Sequence, residues 1–282
     1  MRRRSSMKPT DTAFIYGTAW KEDDTERLTA EALAAGFGAV DTANQRKHYD
    51  EAAVGRGIQS HLKQSGRERD ELFVQTKFTH ARGHDHRIPY DPHLPVRLQV
   101  LQSCESSLEH LQTDYIDAYL LHGPMYAGSL HNKDMEAWGA MEQLYGQNKV
   151  RALGIANVSP EQLKQLWEHS TVKPAYVQNR CFAQLKWDYD VRSYCREKHI
   201  AYQGFSLLTA NAPFILTDAV HSIAAKYGKT IPQIIFCFCH QAGMICLNGT
   251  TSRAHMQADL DIFSFSLTED EMDTIENIGL GG

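Results

Sequence analysis

The chain lacks several things, and each absence narrows what it can be. No apolar run approaches the ~18 residues of a membrane-spanning helix, so no membrane partner is expected. Basic clusters are missing as well. Lys and Arg number 29 against 34 Asp and Glu, a net charge of −5, which argues against nucleic acid as a partner. Residues 1–8 are basic, but Pro9, Thr10 and Asp11 follow where a secretory signal would turn apolar. Cysteine is sparse: six, at 104, 181, 195, 237, 239 and 246, in no zinc-binding spacing. Cys237 and Cys239 sit in an apolar stretch and read as core filler, consistent with a reducing, cytoplasmic compartment. There is no Gly/Ser/Pro linker, and no GxGxxG follows any strand candidate, which disfavours an open doubly wound dinucleotide fold.

What is present is alternation. Strand-like runs at 14–18, 39–41, 72–77, 115–122, 152–156, 175–178, 201–205 and 244–247 are separated by helix-like segments. The helices are read at 25–35, 51–64, 95–111, 133–147, 160–170, 191–198 and 218–241, the last broken near 228–231, with two more at 253–260 and 269–278. Ser159 with Pro160 and Glu161 reads as a helix start, and Thr268 with Glu271 as a capping box. Gly36, Gly146 and Gly228 stand where helix C-caps are expected. Eight strands with intervening helices on 282 residues fit one α/β domain, a (β/α)8 TIM barrel over 11–282. Residues 1–10 are expected to be a disordered extension, dispensable up to the second methionine, Met7.

A barrel of this kind carries its active site at the C-terminal strand ends. Strand two ends in Asp41, strand three in Lys77 and strand four in His122, and the loop after strand two carries Tyr49. Each alone has a plain structural explanation, such as a cap or a solvated strand end. Together they bring an acid, an amine, an imidazole and a phenol to one face.

The motifs around them are VDTA at 40–43, HYDEAAVG at 48–55, LFVQTK at 72–77, DYIDAYLLH at 114–122, GQNKVRALGIAN at 146–157 and YVQN at 176–179. In this order, over nearly the whole chain, they resemble the aldo-keto reductase family. The resemblance implies reduction of an aldehyde or ketone by hydride from NADPH, with NADH the less favoured cofactor. Tyr49 would be the general acid. Lys77, held by Asp41, would lower its pKa, and His122 would bind and orient the carbonyl oxygen. Thr18, Asp41, Asn157, Gln178, Phe205 and Ser206 would contact the cofactor, with Gly249, Thr250, Thr251 and Arg253 cradling its phosphate at a helix start. Trp20 and His122 would line the substrate pocket. No metal is expected: His80, His84 and His86 read as solvated loop residues.

Three departures from the family pattern stand out. The loop from Asp41 is lengthened, so anchoring on Glu51 and Gly55 puts His48 in register with the family tyrosine; a one-residue shift restores Tyr49. Ala156 replaces a serine before Asn157. Gly249 and His255 stand where relatives carry the lysine and arginine that bind a 2′-phosphate, which leaves Arg253 as the replacement charge. The chain ends soon after its last helix, which points to an open pocket. A monomer acting on a small-molecule carbonyl substrate is the expected state. Two other readings stay open: a redox-neutral barrel enzyme reusing the tetrad, and a non-catalytic nucleotide-binding regulatory subunit. An intact Asp41, Tyr49, Lys77 and His122 favours the reductase, and fluorescence titration with NADPH and NADH followed by a carbonyl panel read by absorbance separates the three.

Overall fold

Helix starts and stops along the chain follow local chemistry. Ser159, Thr230 and Thr268 each accept a hydrogen bond from the backbone N–H three residues on, and Gln162, Gln233 and Glu271 reach back to complete three capping boxes. Gly36 and Gly228 close their helices in the left-handed region, at φ 118° and 62°, where a side chain would be strained. Gly146 does not do this. It is the last helical residue, and the left-handed turn falls on Asn148 at φ 58°.

The computed structural model describes residues 14–280. The extension read at 1–10 lies outside them. The strands are β1 Phe14–Gly17, β2 Ala39–Asp41, β3 Phe73–Phe78, β4 Ala118–Leu121, β5 Leu153–Ala156, β6 Tyr176–Arg180, β7 Ala201–Phe205 and β8 Ile245–Asn248. All pair in parallel with their sequence neighbours, and β8 returns to β1, closing the barrel. The main helices are α1 Thr25–Ala35, α2 Glu51–Ser65, α3 Val96–Leu111, α4 Asn132–Gly146, α5 Pro160–His169 and α6 Tyr189–Glu197. After β7 come a short α7 Ala212–Ile215, then α8 Asp218–Tyr227 and α9 Ile231–Gln241; α10 Arg253–Leu260 and α11 Glu269–Glu276 follow β8. The single-domain TIM barrel read from the alternation is the fold observed.

Two differences matter for the site. The fourth strand begins at Ala118 rather than at Tyr115, and His122 lies one residue beyond its end. The ring of Tyr115 instead lies beneath the guanidinium groups of Arg69 and Arg151, which hold it outside the sheet. The third strand runs through Lys77 to Phe78, so Lys77 sits inside the barrel rather than at its rim.

Strand periodicity builds the interior in layers. Alternate residues of β3 point inward: Phe73 at the bottom, then Gln75, then Lys77. Phe73 packs with Ile15, Ala39, Leu120, Tyr176 and Ile245 in an apolar plug. Outward-facing Val40 and Val74 pack instead against Val54 and Ile58 of α2. Apolar below and polar above, the barrel is sealed at one end and lined with polar side chains at the other.

Candidate active site

The polar upper layer is a closed hydrogen-bond network. Cross-strand register sets Asp41 beside Gln75, and Gln178 beside Gln203. Gln75 Nε2 donates to Asp41 Oδ1 at 2.6 Å and to Gln203 Oε1 at 2.8 Å, while Gln203 Nε2 donates back to Gln75 Oε1 at 2.9 Å. Gln178 Nε2 donates to Asp41 Oδ1 and to Gln203 Oε1, both at 2.9 Å. Lys77 Nζ donates to the same carboxylate oxygen at 2.6 Å and to Thr42 O at 2.8 Å. Every member is buried, so each needs its partners: an unpaired polar group here would cost about 1–3 kcal/mol. Gln75 and Gln203 were not singled out in the sequence. Their signal was the inward period-two position on β3 and β7, in line with Asp41.

The β2–α2 loop crosses above this layer and carries Tyr49. Its half-buried ring lies 5.4 Å from Lys77 Nζ and 5.9 Å, edge to face, from the His122 ring. Thr79 Oγ1 shares a 2.7 Å hydrogen bond with His122 Nδ1. Burial, then the Lys77 charge, push the His122 pKa well below its usual value, so the ring is neutral at pH 7. A Thr79 hydroxyl that donates to Nδ1 leaves the one ring proton on Nε2.

His48, the register rival, borders the cavity beside His122 as well as the one at Trp20. Its ring stacks on Trp20 with centroids 3.9 Å apart, and Trp20 N donates to His48 O at 2.8 Å. Trp20 is 68% exposed and borders a cavity of about 480 Å³ that also contacts Tyr49 and His48 but not His122. The indole is therefore at the rim, not on the His122 cavity. Among the expected catalytic residues the fold brings together Asp41, Lys77, Tyr49 and His122.

One expectation reverses. The net Tyr49 shift in the folded protein is upward, opposite to the one expected from Lys77: burial, then the Asp41 charge, push the phenol up. The reason is geometric. The ammonium is paired with Asp41 at 2.6 Å, whose negative charge opposes its field at the ring.

Burial also lowers the Lys77 pKa, opposed by its pairing with Asp41.

The residues expected to hold a cofactor line the adjoining face. Asn157, at φ 53°, donates through Nδ2 to His122 O at 2.8 Å; the Oδ1 atom of Asn157 and the Oε1 atom of Gln178 have no partner among the described residues. Thr18 is instead a buried strap, donating from Oγ1 to Asp41 O at 2.9 Å. Phe205 is half-buried with the Arg180 guanidinium 5.6 Å from its ring, and Ser206 follows at φ 56°. At β8 the chain turns through Gly249, Thr250 and Thr251 into α10, which Ser252 caps; Arg253, its first residue, is exposed.

Gly249 has a packing reason. A Cβ there would lie 2.5 Å from Gly17 O, so a lysine at this position would force β1 and β8 apart. Lys21, from the loop after β1, reaches into the same place. Its Nζ donates to Gly249 O and lies 3.2 Å from where that Cβ would be. Sequence reasoning missed Lys21, whose signal was its position directly after Trp20 on the catalytic face. A glycine cradle, backbone N–H groups at a capped helix start and two flanking cations fit an anionic dinucleotide.

The histidines of the β3–α3 loop do not share a solvated cluster. His80 is buried, with Nε2 at 2.9 Å from Asp134 Oδ1, while His84 Nε2 lies 3.0 Å from Thr79 O and His86 is exposed. His80 is drawn in because it ties this loop to α4. No group of three or more His, Cys, Asp or Glu among the described residues could hold a metal, and no helix among them is long and apolar enough to cross a membrane.

Below the cradle, Asn248 Nδ2 donates to Asp259 Oδ2 at 2.6 Å. Burial raises the Asp259 pKa to about 6. A folded pKa above the unfolded value means a stability contribution present below pH ~4 and lost as pH rises through ~6. Asp259→Asn should therefore stabilise the protein at pH 7.5 by roughly 1–3 kcal/mol, the gain shrinking towards pH 4. Urea denaturation at the two pH values checks this; an equal effect at both would mean the charge is not the cause.

The Aldo/keto reductase family model matches residues 10–279. An aldo-keto reductase of Mycobacterium marinum is 32% identical over 260 residues, covering 92% of this chain and 84% of the relative. A glyoxal reductase of Bacillus subtilis is 30% identical over 253 residues, 89% of this chain and 82% of its own. The crystal structure of an aldo/keto reductase from Brucella melitensis superposes with a TM-score of 0.79 at 27% identity, over 94% of each chain. A silkworm aldo-keto reductase crystallised with NADPH, 23% identical over 94% of this chain and 84% of its own, shares the fold at a TM-score of 0.79. With the model spanning nearly the whole length and a closed eight-stranded barrel to match, the chain belongs to the Aldo/keto reductase family of NAD(P)H-dependent carbonyl oxidoreductases.

Proposed function

We propose that this protein reduces a small aldehyde or ketone with NADPH, and that Tyr49 is the general acid. The observation that carries the reading is the Tyr49 ring lying within 6 Å of both Lys77 Nζ and the His122 ring at the barrel mouth. NADPH, when bound, supplies the hydride that adds to the carbonyl carbon.

The protein's own groups handle the oxygen and its proton. His122 Nε2–H hydrogen-bonds the carbonyl oxygen and favours the negative charge that builds there. The Tyr49 hydroxyl donates its proton to that oxygen, so the product is an alcohol and the side chain becomes phenolate, which water reprotonates. Lys77 opposes the cost of that phenolate. Asp41 and Thr42 O hold the ammonium in place, and Gln75 and Gln178 in turn hold Asp41. The free carbonyl oxygens of Asn157 and Gln178 suit the amide N–H groups of a nicotinamide carboxamide. Phe205 offers a stacking face, and Thr250, Thr251, Arg253 and Lys21 suit the phosphates. Titration of the protein with NADPH followed by a panel of aldehydes read at the nicotinamide absorbance tests the reading. Tight binding without turnover of any carbonyl would instead favour a nucleotide-binding regulatory role.

NADPH is preferred over NADH because Arg253 is exposed at the start of α10 and forms no ion pair among the described residues. A charged fork on a 2′-phosphate is worth about 1.5–3 kcal/mol, so Arg253→Ala should weaken NADPH roughly tenfold or more. NADH, which lacks that phosphate, should change little. Fluorescence titration with both cofactors measures it, and an equal loss for both would remove Arg253 from the role.

A further inference from the structure

The cavity beside His122 has a volume of about 410 Å³ and is bordered by His48, Thr79, Arg82, Tyr126 and Asn157. None of the described residues bordering it is Asp or Glu, although the chain as a whole is acidic. Arg82 is the only lysine or arginine among the described residues bordering it, and it forms no ion pair with any of the described residues. Its Nη1 donates to Met125 O, and its guanidinium lies 4.9 Å from the Tyr126 ring centroid. These contacts hold the group still but leave Nε and Nη2 without partners among the described residues. Arg87, on the same loop, differs: Asp85 closes it off at 2.6 Å. A guanidinium anchored on one nitrogen and stacked on a ring presents its remaining donors as a pre-ordered fork for a carboxylate.

We propose that Arg82 selects carbonyl substrates that carry a carboxylate on a short chain. It holds the acid group while the carbonyl reaches His122, which borders the same cavity. The proposal deepens the reductase reading above and rests on it. An exposed arginine in water would gain little from such a pair. Here the tether and the absence of a competing carboxylate in the cavity reduce what ordering costs.

The test compares 4-oxobutanoate with butanal, four-carbon aldehydes that differ in the carboxylate. Wild-type kcat/KM should favour 4-oxobutanoate by tenfold or more at low salt, mainly through KM, and the ratio should fall as ionic strength rises. Arg82→Gln should bring the ratio towards one, with Arg82→Lys in between because a point charge replaces the fork. A wild-type ratio at or below one, or a ratio unchanged in Arg82→Gln, overturns the proposal. Calorimetry keeps this separate from the reductase reading. With NADP+ present, 4-hydroxybutanoate should bind wild type at least tenfold more tightly than 1-butanol does, and the difference should vanish in Arg82→Gln. If neither aldehyde is reduced, the reductase reading fails, and the calorimetric difference alone decides for or against Arg82.

Discussion

Tyr49→Phe is expected to lower kcat by 10²–10⁴-fold while cofactor affinity stays within about twofold, because a general acid contributes in that range. The substitution removes one hydroxyl and keeps the ring, so the edge-to-face contact with His122 survives and no cavity opens. His48→Gln should be far milder. It loses a stack on an indole that is itself two-thirds exposed, at the rim rather than against Lys77. The pH profiles separate the two residues as well. Burial lowers the His48 pKa, so a histidine acid would lose its proton, and the reaction its rate, at a pH below about 6.5. A tyrosine whose pKa is raised by burial keeps its proton well above neutrality, and the reductive rate should hold there. Steady-state kinetics from pH 5 to 9 on both variants decides it. Full activity in Tyr49→Phe with a dead His48→Gln would move the acid to the histidine.

Lys77→Met should abolish most turnover, and it should also destabilise the fold. Lys77 is fully buried, and the Asp41 carboxylate would lose its only ion-pair partner among the described residues. Removing one partner of a buried ion pair typically costs about 3–5 kcal/mol. A dead enzyme could then be an unfolded one, so the informative variant is the double substitution Asp41→Asn with Lys77→Met. It is neutral, and Gln75 and Gln178 can still donate to the asparagine carbonyl. The double variant should melt higher than Lys77→Met alone, bind NADPH within a few-fold of wild type and reduce aldehydes at least 10²-fold more slowly. Undiminished carbonyl reduction in the folded double variant would eliminate Lys77 from proton transfer.

How much of this was legible in the sequence depends on the range of the physics involved. Strand and helix order follow from hydrophobic period and capping residues, which act over a few residues. The closed barrel, the helix starts at Ser159 and Thr268 and the break at Gly228 were readable for that reason. The identities of Asp41, Lys77 and His122 were readable because a barrel presents strand ends on one face and the motifs around them are local. Choosing between His48 and Tyr49 was a different kind of question. Counting residues from Gly55 favoured the histidine, since counting assumes a loop of regular length. In the folded loop His48 and Tyr49 N–H groups both donate to Gln45 O, and one side chain turns to Trp20 while its neighbour turns to Lys77.

Other features exist only between segments distant in the chain. Lys21 meets Gly249 across 228 residues, and Gln75 meets Gln203 across 128. The direction of the Tyr49 shift is of the same kind. The sequence places a lysine near a phenol, but the net field at that phenol depends on which carboxylate the lysine already holds and how much water is excluded. What the sequence by itself determined is the barrel, the family and the set of reactive groups. The tertiary structure alone decided which neighbour each group faces, because pairing, burial and field strength are set by distances through space that residue order does not encode.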